Sequence, residues 1–197
     1  VRILYIGNRC HLQSWGRGGG LVVRLMDGDP AVFNGLAEEA TACVKAGVSF
    51  EVVPGVSSVT AVPSYAGVPL TSASSTGVHV LVAGARGVDL TGALDPKVTV
   101  AVIGAPDKAA QTFDALIAAG RDGATPVAVT ERGTSTDQRT VTTTLSSAGA
   151  TMADGRFPVL AVVGSTVTMR ETLSWFESKP LFGWEVLVPR TKEQSAS

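Results

Sequence analysis

The most constraining feature of the chain is residues 22–70, VVRLMDGDPAVFNGLAEEATACVKAGVSFEVVPGVSSVTAVPSYAGVPL. Here an apolar, β-branched run stops at Asp27-Gly28-Asp29-Pro30 and a helix-period segment follows. A second apolar run then stops at Pro54-Gly55 before another such segment. Strand, turn and helix in that order, twice over, describe α/β structure. Strands that stop at Gly/Asp/Pro turns leave backbone N–H groups unclaimed by the ladder, and the ends of strands in an open sheet are where ligands bind. A small-molecule site is therefore expected around these turns.

The pattern predicts two α/β units. In the first, strands are expected over 3–6, 21–25 and 50–53, with helices over 37–46 and 59–66. Leu36, Ala40, Cys43 and Val44 recur at helical spacing, with Glu38, Glu39 and Lys45 facing away and Gly47 as the terminating residue. Ser57 or Ser58 would cap the next helix, which should stop before Gly67 and Pro69. The small, polar stretch 71–77, TSASSTG, reads as a linker. Beyond it strands are expected over 78–83, 98–103, 127–130, 140–144 and 159–163, and helices over 108–119 and 167–176.

Composition removes several classes of function. With 197 residues, 45% hydrophobic and 17% charged at a formal net charge of -1, the chain can bury a sizeable core. It has no basic patch for a phosphate backbone, so nucleic acid is not an expected partner. Its apolar runs are strand-sized, so no membrane span is expected, and the expected location is the cytoplasm. Cys10 and Cys43 are far apart and read as reduced. His11 and His79 lack partners at metal-ligand spacing, so no metal is expected. The run 16–20, GRGGG, lacks the Lys-Ser/Thr of a phosphate loop and reads as a flexible connection.

The same segment carries a family resemblance. VVRLMDGDPAVF, Glu38-Glu39, GVSFEVVPGVS and YAGVPLT resemble the tetrapyrrole methylases, and within them the S-adenosylmethionine-dependent uroporphyrinogen-III C-methyltransferases, whose pattern runs VVRLKGGDPF(I/V)F, EE, GIPFEVVPG(I/V)T and YAGIPLT. TPVAVTERGTSTDQRTVTTTL is similar to that family's TPVALVxxGTxxxQRxVxGTL, and VLAVVGSTVTMRETLSWFES to its closing strand and helix. The resemblance covers roughly 20–178. It implies two α/β units with an S-adenosylmethionine cleft between them, C-methylation of uroporphyrinogen III toward precorrin-2 in sirohaem and cobalamin synthesis, and a homodimer.

Carried over position by position, the resemblance puts cofactor contacts on Asp27, Gly28, Asp29, Val32, Ser57, Ser58, Ile103, Ala128 and Gly133. Methyl transfer of this kind needs two ligands held in register and water excluded, not a nucleophilic side chain or a metal. The acceptor carries several carboxylates, which guanidinium groups bind in a two-pronged manner. Arg24, Arg86, Arg132 and Arg139 are the candidates by position, each with the alternative of a solvated surface charge, and Arg139 with that of bracing its loop.

Departures from the pattern bear on activity. The family's lysine in VGKR falls on Asn8 here, which cannot act as a cationic acid, so no catalytic residue is assigned. The first glycine of GGDP is Asp27, a costly replacement if that position needs φ > 0. The glycine-rich loop that opens the family's sequences has no counterpart, and FGWEVLVPRTKEQ near the end resembles the first strand of uroporphyrinogen-III synthase. The expectation is a piece of a fusion between methylase and synthase, with the synthase beginning near 179. Two alternatives stay open: a non-catalytic cofactor- or tetrapyrrole-binding module, and a methylase of a later precorrin. A nicotinamide oxidoreductase is disfavoured, since no GxGxxG follows a strand.

Overall fold

The computed structural model describes residues 23–24, 26–152 and 158–185. By its internal contacts the chain divides into two compact units, Val1–Thr60 and Ala61–Ser197. The predicted strand 3–6, Asn8, Cys10, His11 and the run 16–20 lie outside the described residues, as do three of the five residues of the predicted strand 21–25.

In the first unit, helix α1 spans Leu36–Lys45. Gly35 opens it in a left-handed conformation with φ 75°, and Glu38 and Glu39 in the first turn with Lys45 in the last complement the helix dipole. The expected glycine stop is present. Gly47 takes φ 65°, its N–H donates to the Val44 carbonyl at 3.1 Å, and the Val48 N–H donates to the Cys43 carbonyl at 2.9 Å, a Schellman motif. The buried face needs correction at two positions. Cys43 is buried, but Val44 is 67% exposed, whereas Glu39 is turned inward to an ion pair. Residues 50–53 form no strand, and Phe50, Val52 and Val53 are exposed. A strand exists only as part of a ladder, and no described residue pairs with this run.

Helix α2, Ser58–Ala66, contains the division between the units. Ser57 caps it as expected, its Oγ accepting from the Val59 N–H at 3.2 Å. It closes in a second Schellman motif, with Val68 N–H donating to the Pro63 carbonyl at 2.9 Å around Gly67 at φ 69°. A Cβ on Gly67 would lie 2.4 Å from the Leu173 carbonyl oxygen, so glycine is required there for space as well as for conformation.

The second unit is built on one mixed sheet of β1 (Gly77–Val82), β2 (Val98–Gly104), β3 (Pro126–Glu131), β4 (Arg139–Thr144) and β5 (Val159–Val163). The order is β1-β2-β5-β3-β4, with β1 and β2 parallel and every other neighbouring pair antiparallel. Strand β5 is buried at all five positions because it lies mid-sheet with both faces covered. One face carries Val100, Val102, Val127, Val129, Val159, Ala161 and Val163 against Phe113 and Leu116 of helix α3 (Pro106–Ala118) and Leu145 and Ala148 of helix α4 (Leu145–Thr151). The other face carries Ala128, Leu160 and Val162, with Ile103 at its margin, against Val62, Ala66, Val68 and Val167.

The five strands after 77 match their expected ranges to within a residue or two. Helix α4 was not expected, because LSSAGAT offers too few apolar residues to show a period. The predicted helix 167–176 is a 3₁₀ turn, Ser165–Met169, followed by the four-residue helix α5, Arg170–Leu173. It stops where Trp175 and Phe176 leave the helical path to stack with Tyr65 at centroid distances of 5.2 and 4.7 Å. The segment 71–77 is tied down: Ser75 is buried, and its hydroxyl meets Thr99 Oγ1 at 2.8 Å and donates to the Lys97 carbonyl at 3.1 Å.

Candidate functional site

In the first unit the two expected turns are joined through one side chain. Asp29 accepts from the Ala31 N–H through Oδ1 at 2.8 Å and from the Gly55 N–H through Oδ2 at 3.1 Å. Its backbone carbonyl accepts from the Val32 N–H at 3.2 Å, and Asn34 Nδ2 donates to the carbonyls of Asp27 and Asp29 at 2.7 Å each. The turns touch: a Cβ on Gly55 would lie 2.2 Å from the Gly28 carbonyl oxygen, and one on Gly28 would lie 3.4 Å from that of Val56. Asp27, Gly28, Asp29, Val32, Ser57 and Ser58 are thus brought together at the start of α2. Gly28 takes the left-handed conformation at φ 80°, while Asp27 has no positive φ. The aspartate in place of the family's glycine therefore carries no left-handed strain, and the concern raised from sequence does not apply.

In the second unit Ile103 and Ala128 share a sheet face. Ile103 pairs in register with Leu160, Leu160 with Thr130, and Ala128 with Val162. Gly133 lies in the loop after β3, where a Cβ would meet the Val62 side chain at 2.4 Å. Both its neighbours are left-handed: Arg132 at φ 48° and Thr134 at φ 69°. For residues with a Cβ this conformation costs about 1 kcal/mol each, more for a β-branched residue. The loop is held by bonds that offset the strain. Ser135 Oγ donates to the Arg132 carbonyl at 2.7 Å, and the Thr134 N–H donates to Gln138 Oε1 at 2.7 Å.

Gln138 leads to a network that sequence reasoning missed. Its amide is buried, and Nε2 donates to Glu177 Oε1 at 2.8 Å. Thr140 Oγ1 donates to the same oxygen at 2.7 Å, and Arg170 reaches Glu177 Oε2 at 2.6 Å while also donating to the Ala66 carbonyl. Burial pushes the Glu177 carboxyl up, but the hydrogen bonds from Gln138, Thr140 and Arg170, with the Arg170 charge, hold it below the ordinary glutamate value. Only the QR pair hinted at this in the sequence, and the bracing residue is Gln138 rather than Arg139.

The four arginines are scattered. Arg24 pairs with Glu39 at 2.9 Å in a cavity of about 50 Å³ lined by Met26, Leu36, Cys43 and Phe50. Burial and the nearby Glu39 charge push the Cys43 thiol up in that wall, away from the thiolate form. Arg132 pairs with Asp137 at 3.3 Å. Arg139 is exposed and in register with Glu131, on the sheet face opposite Ile103 and Ala128. Arg86 is exposed in the loop after β1. A larger cavity of about 300 Å³ beside that loop, between Leu81, Gly84, Val88 and Thr112, is lined by none of the expected residues.

The chain is similar to known proteins in both sequence and fold. The model of the tetrapyrrole (corrin/porphyrin) methylases matches residues 16–149. Siroheme synthase 1 of Cronobacter sakazakii is 40% identical over 171 residues, 84% of this chain and 36% of that protein, and its counterpart in Klebsiella pneumoniae is 40% identical over 166 residues, 82% and 35%. The chain therefore spans about a third of the length of these relatives. Among solved structures, uroporphyrin-III C-methyl transferase from Thermus thermophilus complexed with S-adenyl homocysteine superposes with a TM-score of 0.70 at 30% identity, covering 81% of this chain and 73% of that one. A cobalt precorrin-4 methyltransferase gives 0.68 at 28%, covering 81% and 70%. With the family model matching well over half of its residues, the chain belongs to the tetrapyrrole (corrin/porphyrin) methylases.

Proposed function

We propose that this chain is the methyltransferase part of a siroheme-forming protein, transferring methyl from S-adenosylmethionine to uroporphyrinogen III on the way to precorrin-2. The observation that carries the reading is the pair of turns joined by Asp29 at the start of α2. They present a helix N-terminus and closely apposed glycines, a setting suited to the carboxylate of an amino-acid moiety. In the first unit the polar backbone at 27–29 and 55–58 suits the methionine end of the cofactor, and in the second, taken by itself, the apolar Ile103 and the small Ala128 share a sheet face.

When bound, S-adenosylmethionine would supply an electrophilic methyl on a sulfonium for C–C bond formation with loss of a proton from the acceptor. The residues of the chain then have to orient the reactants and exclude water. Asp29 has both oxygens engaged with backbone N–H groups, so its part is to shape the turns rather than to take that proton. Asn8 lies outside the described residues, and no residue is assigned as acid or base. The homodimer, the cytoplasmic location, the contiguous synthase and the Arg24, Arg86, Arg132 and Arg139 contacts to substrate carboxylates belong to the same proposal. Among the described residues no helix is long and apolar enough to cross a membrane.

Asn8 favours the alternative of a cofactor-binding module without turnover. Calorimetric titration with S-adenosylhomocysteine, followed by a methylation assay with uroporphyrinogen III, separates the readings. Micromolar binding with product supports the enzyme, binding without product supports the module or a methylase of a later precorrin, and no binding rejects the methyltransferase.

A further inference from the structure

We propose that Glu177 is a positioning residue for the cofactor, acting through Gln138 on the strained loop that carries Gly133. The inference rests on the methyltransferase reading above. Gly133 sits between two left-handed residues, and the Thr134 N–H that fixes this shape is held by a single buried amide, Gln138, at 2.7 Å. An amide so placed could rotate about its side chain. What sets its orientation is Glu177: a carboxylate only accepts, so Nε2 must face it and Oε1 must face the loop. Glu177 is in turn clamped by Thr140 at 2.7 Å and Arg170 at 2.6 Å, and Thr140 is joined to Thr130 at 3.1 Å.

The four groups come from two stretches of the chain: Gln138 and Thr140 from the loop and the start of β4, and Arg170 and Glu177 from α5 and the residues just beyond it. Arg170 also holds the Ala66 carbonyl at the end of α2, the helix whose Val62 closes on Gly133. One carboxylate is thereby tied both to the loop and, through Arg170, to the end of the helix whose Val62 meets that loop. A network built only to stabilise would not need to terminate on an N–H that helps to keep a non-glycine neighbour of Gly133 left-handed.

The test is the dissociation constant of S-adenosylhomocysteine, measured with the KM for S-adenosylmethionine and the melting temperature on the full chain. Gln138→Ala and Glu177→Ala are expected to raise both the dissociation constant and KM about tenfold. Glu177→Gln, which keeps an oxygen facing Gln138, should restore affinity to within about threefold of the unmodified protein. Arg121→Ala is the control: it breaks a comparably buried set of bonds, to the carbonyls of Ala93, Asp95 and Val98 away from the loop, and should lower the melting temperature without moving the dissociation constant. Should Gln138→Ala fail to fold, Thr140→Val decides, with a rise of about threefold expected. Unchanged affinity in the folded Gln138 or Thr140 variant, or affinity that follows melting temperature in Arg121→Ala as well, overturns the positioning role. Absence of binding by the unmodified chain overturns the methyltransferase reading instead, and this inference with it.

Discussion

Asp29 directs both carboxylate oxygens at backbone N–H groups, one in its own turn and one in a turn 26 residues on. Hydrogen bonds of this charge-assisted kind are worth about 1.5–3 kcal/mol when solvent is excluded, and less at a partly exposed site. Asp29→Ala is therefore expected to lower stability by about 1–2 kcal/mol and to weaken S-adenosylhomocysteine binding strongly. Asp89→Ala should leave binding unchanged, because Asp89 only holds the exposed turn at Thr91. Equal effects on binding in the two titrations would move the site away from the 27–29 turn. The GDP turn was legible as a turn with a chemical purpose, since Gly, Asp and Pro each have a local reason to be there. That Asp29 would reach Gly55 was not legible, because the bond spans the chain rather than the turn.

At the scale of elements, glycine stops were readable and long-range ties were not. Gly47 and Gly67 end their helices where a left-handed residue is needed, and the signal is local. Gly67→Ala should cost more than the roughly 1 kcal/mol of a left-handed alanine, because its Cβ would fall against the Leu173 backbone. Denaturant unfolding is expected to show a loss of about 3 kcal/mol, and a loss near 1 kcal/mol would mean that the 173–174 segment yields readily. The Glu177 network adds a pH dependence. Its carboxyl titrates below the ordinary glutamate value of about 4.3. The unfolded state therefore takes up its proton first, and the network's contribution is complete above that value and lost as pH falls through the native one. Melting temperature should drop less steeply below pH 5 in Glu177→Gln than in the unmodified protein; parallel curves would remove Glu177 from the acid transition.

For the molecule as a whole, binding to the native state alone must raise its stability by mass action. At a hundredfold excess of S-adenosylhomocysteine over its dissociation constant the gain is about 2.7 kcal/mol, which for a unit of this size is a shift of several degrees in melting temperature. No shift at millimolar ligand would contradict the proposed function. Phe113, fully buried between α3 and the sheet, gives the contrasting case. Its replacement by alanine should cost about 3–5 kcal/mol through cavity formation, without altering the dissociation constant measured on the protein that remains folded.

The family, the α/β class and the strands after 77 were all determined by the sequence itself, because apolar period, turn chemistry and motif order are properties of neighbouring residues. That Gly28, Asp29, Ser57 and Ser58 belong together was only what the family resemblance implied, and the contacts joining their turns came with the fold. Only the tertiary structure decided that β5 runs between β2 and β3, that Ile103 and Ala128 share a face while Arg139 lies on the other, and that Glu177 accepts from Gln138 beside the loop of Gly133. Those facts depend on which strands become neighbours and in what register. A one-residue change of register would reverse every face without altering any local signal that the sequence carries.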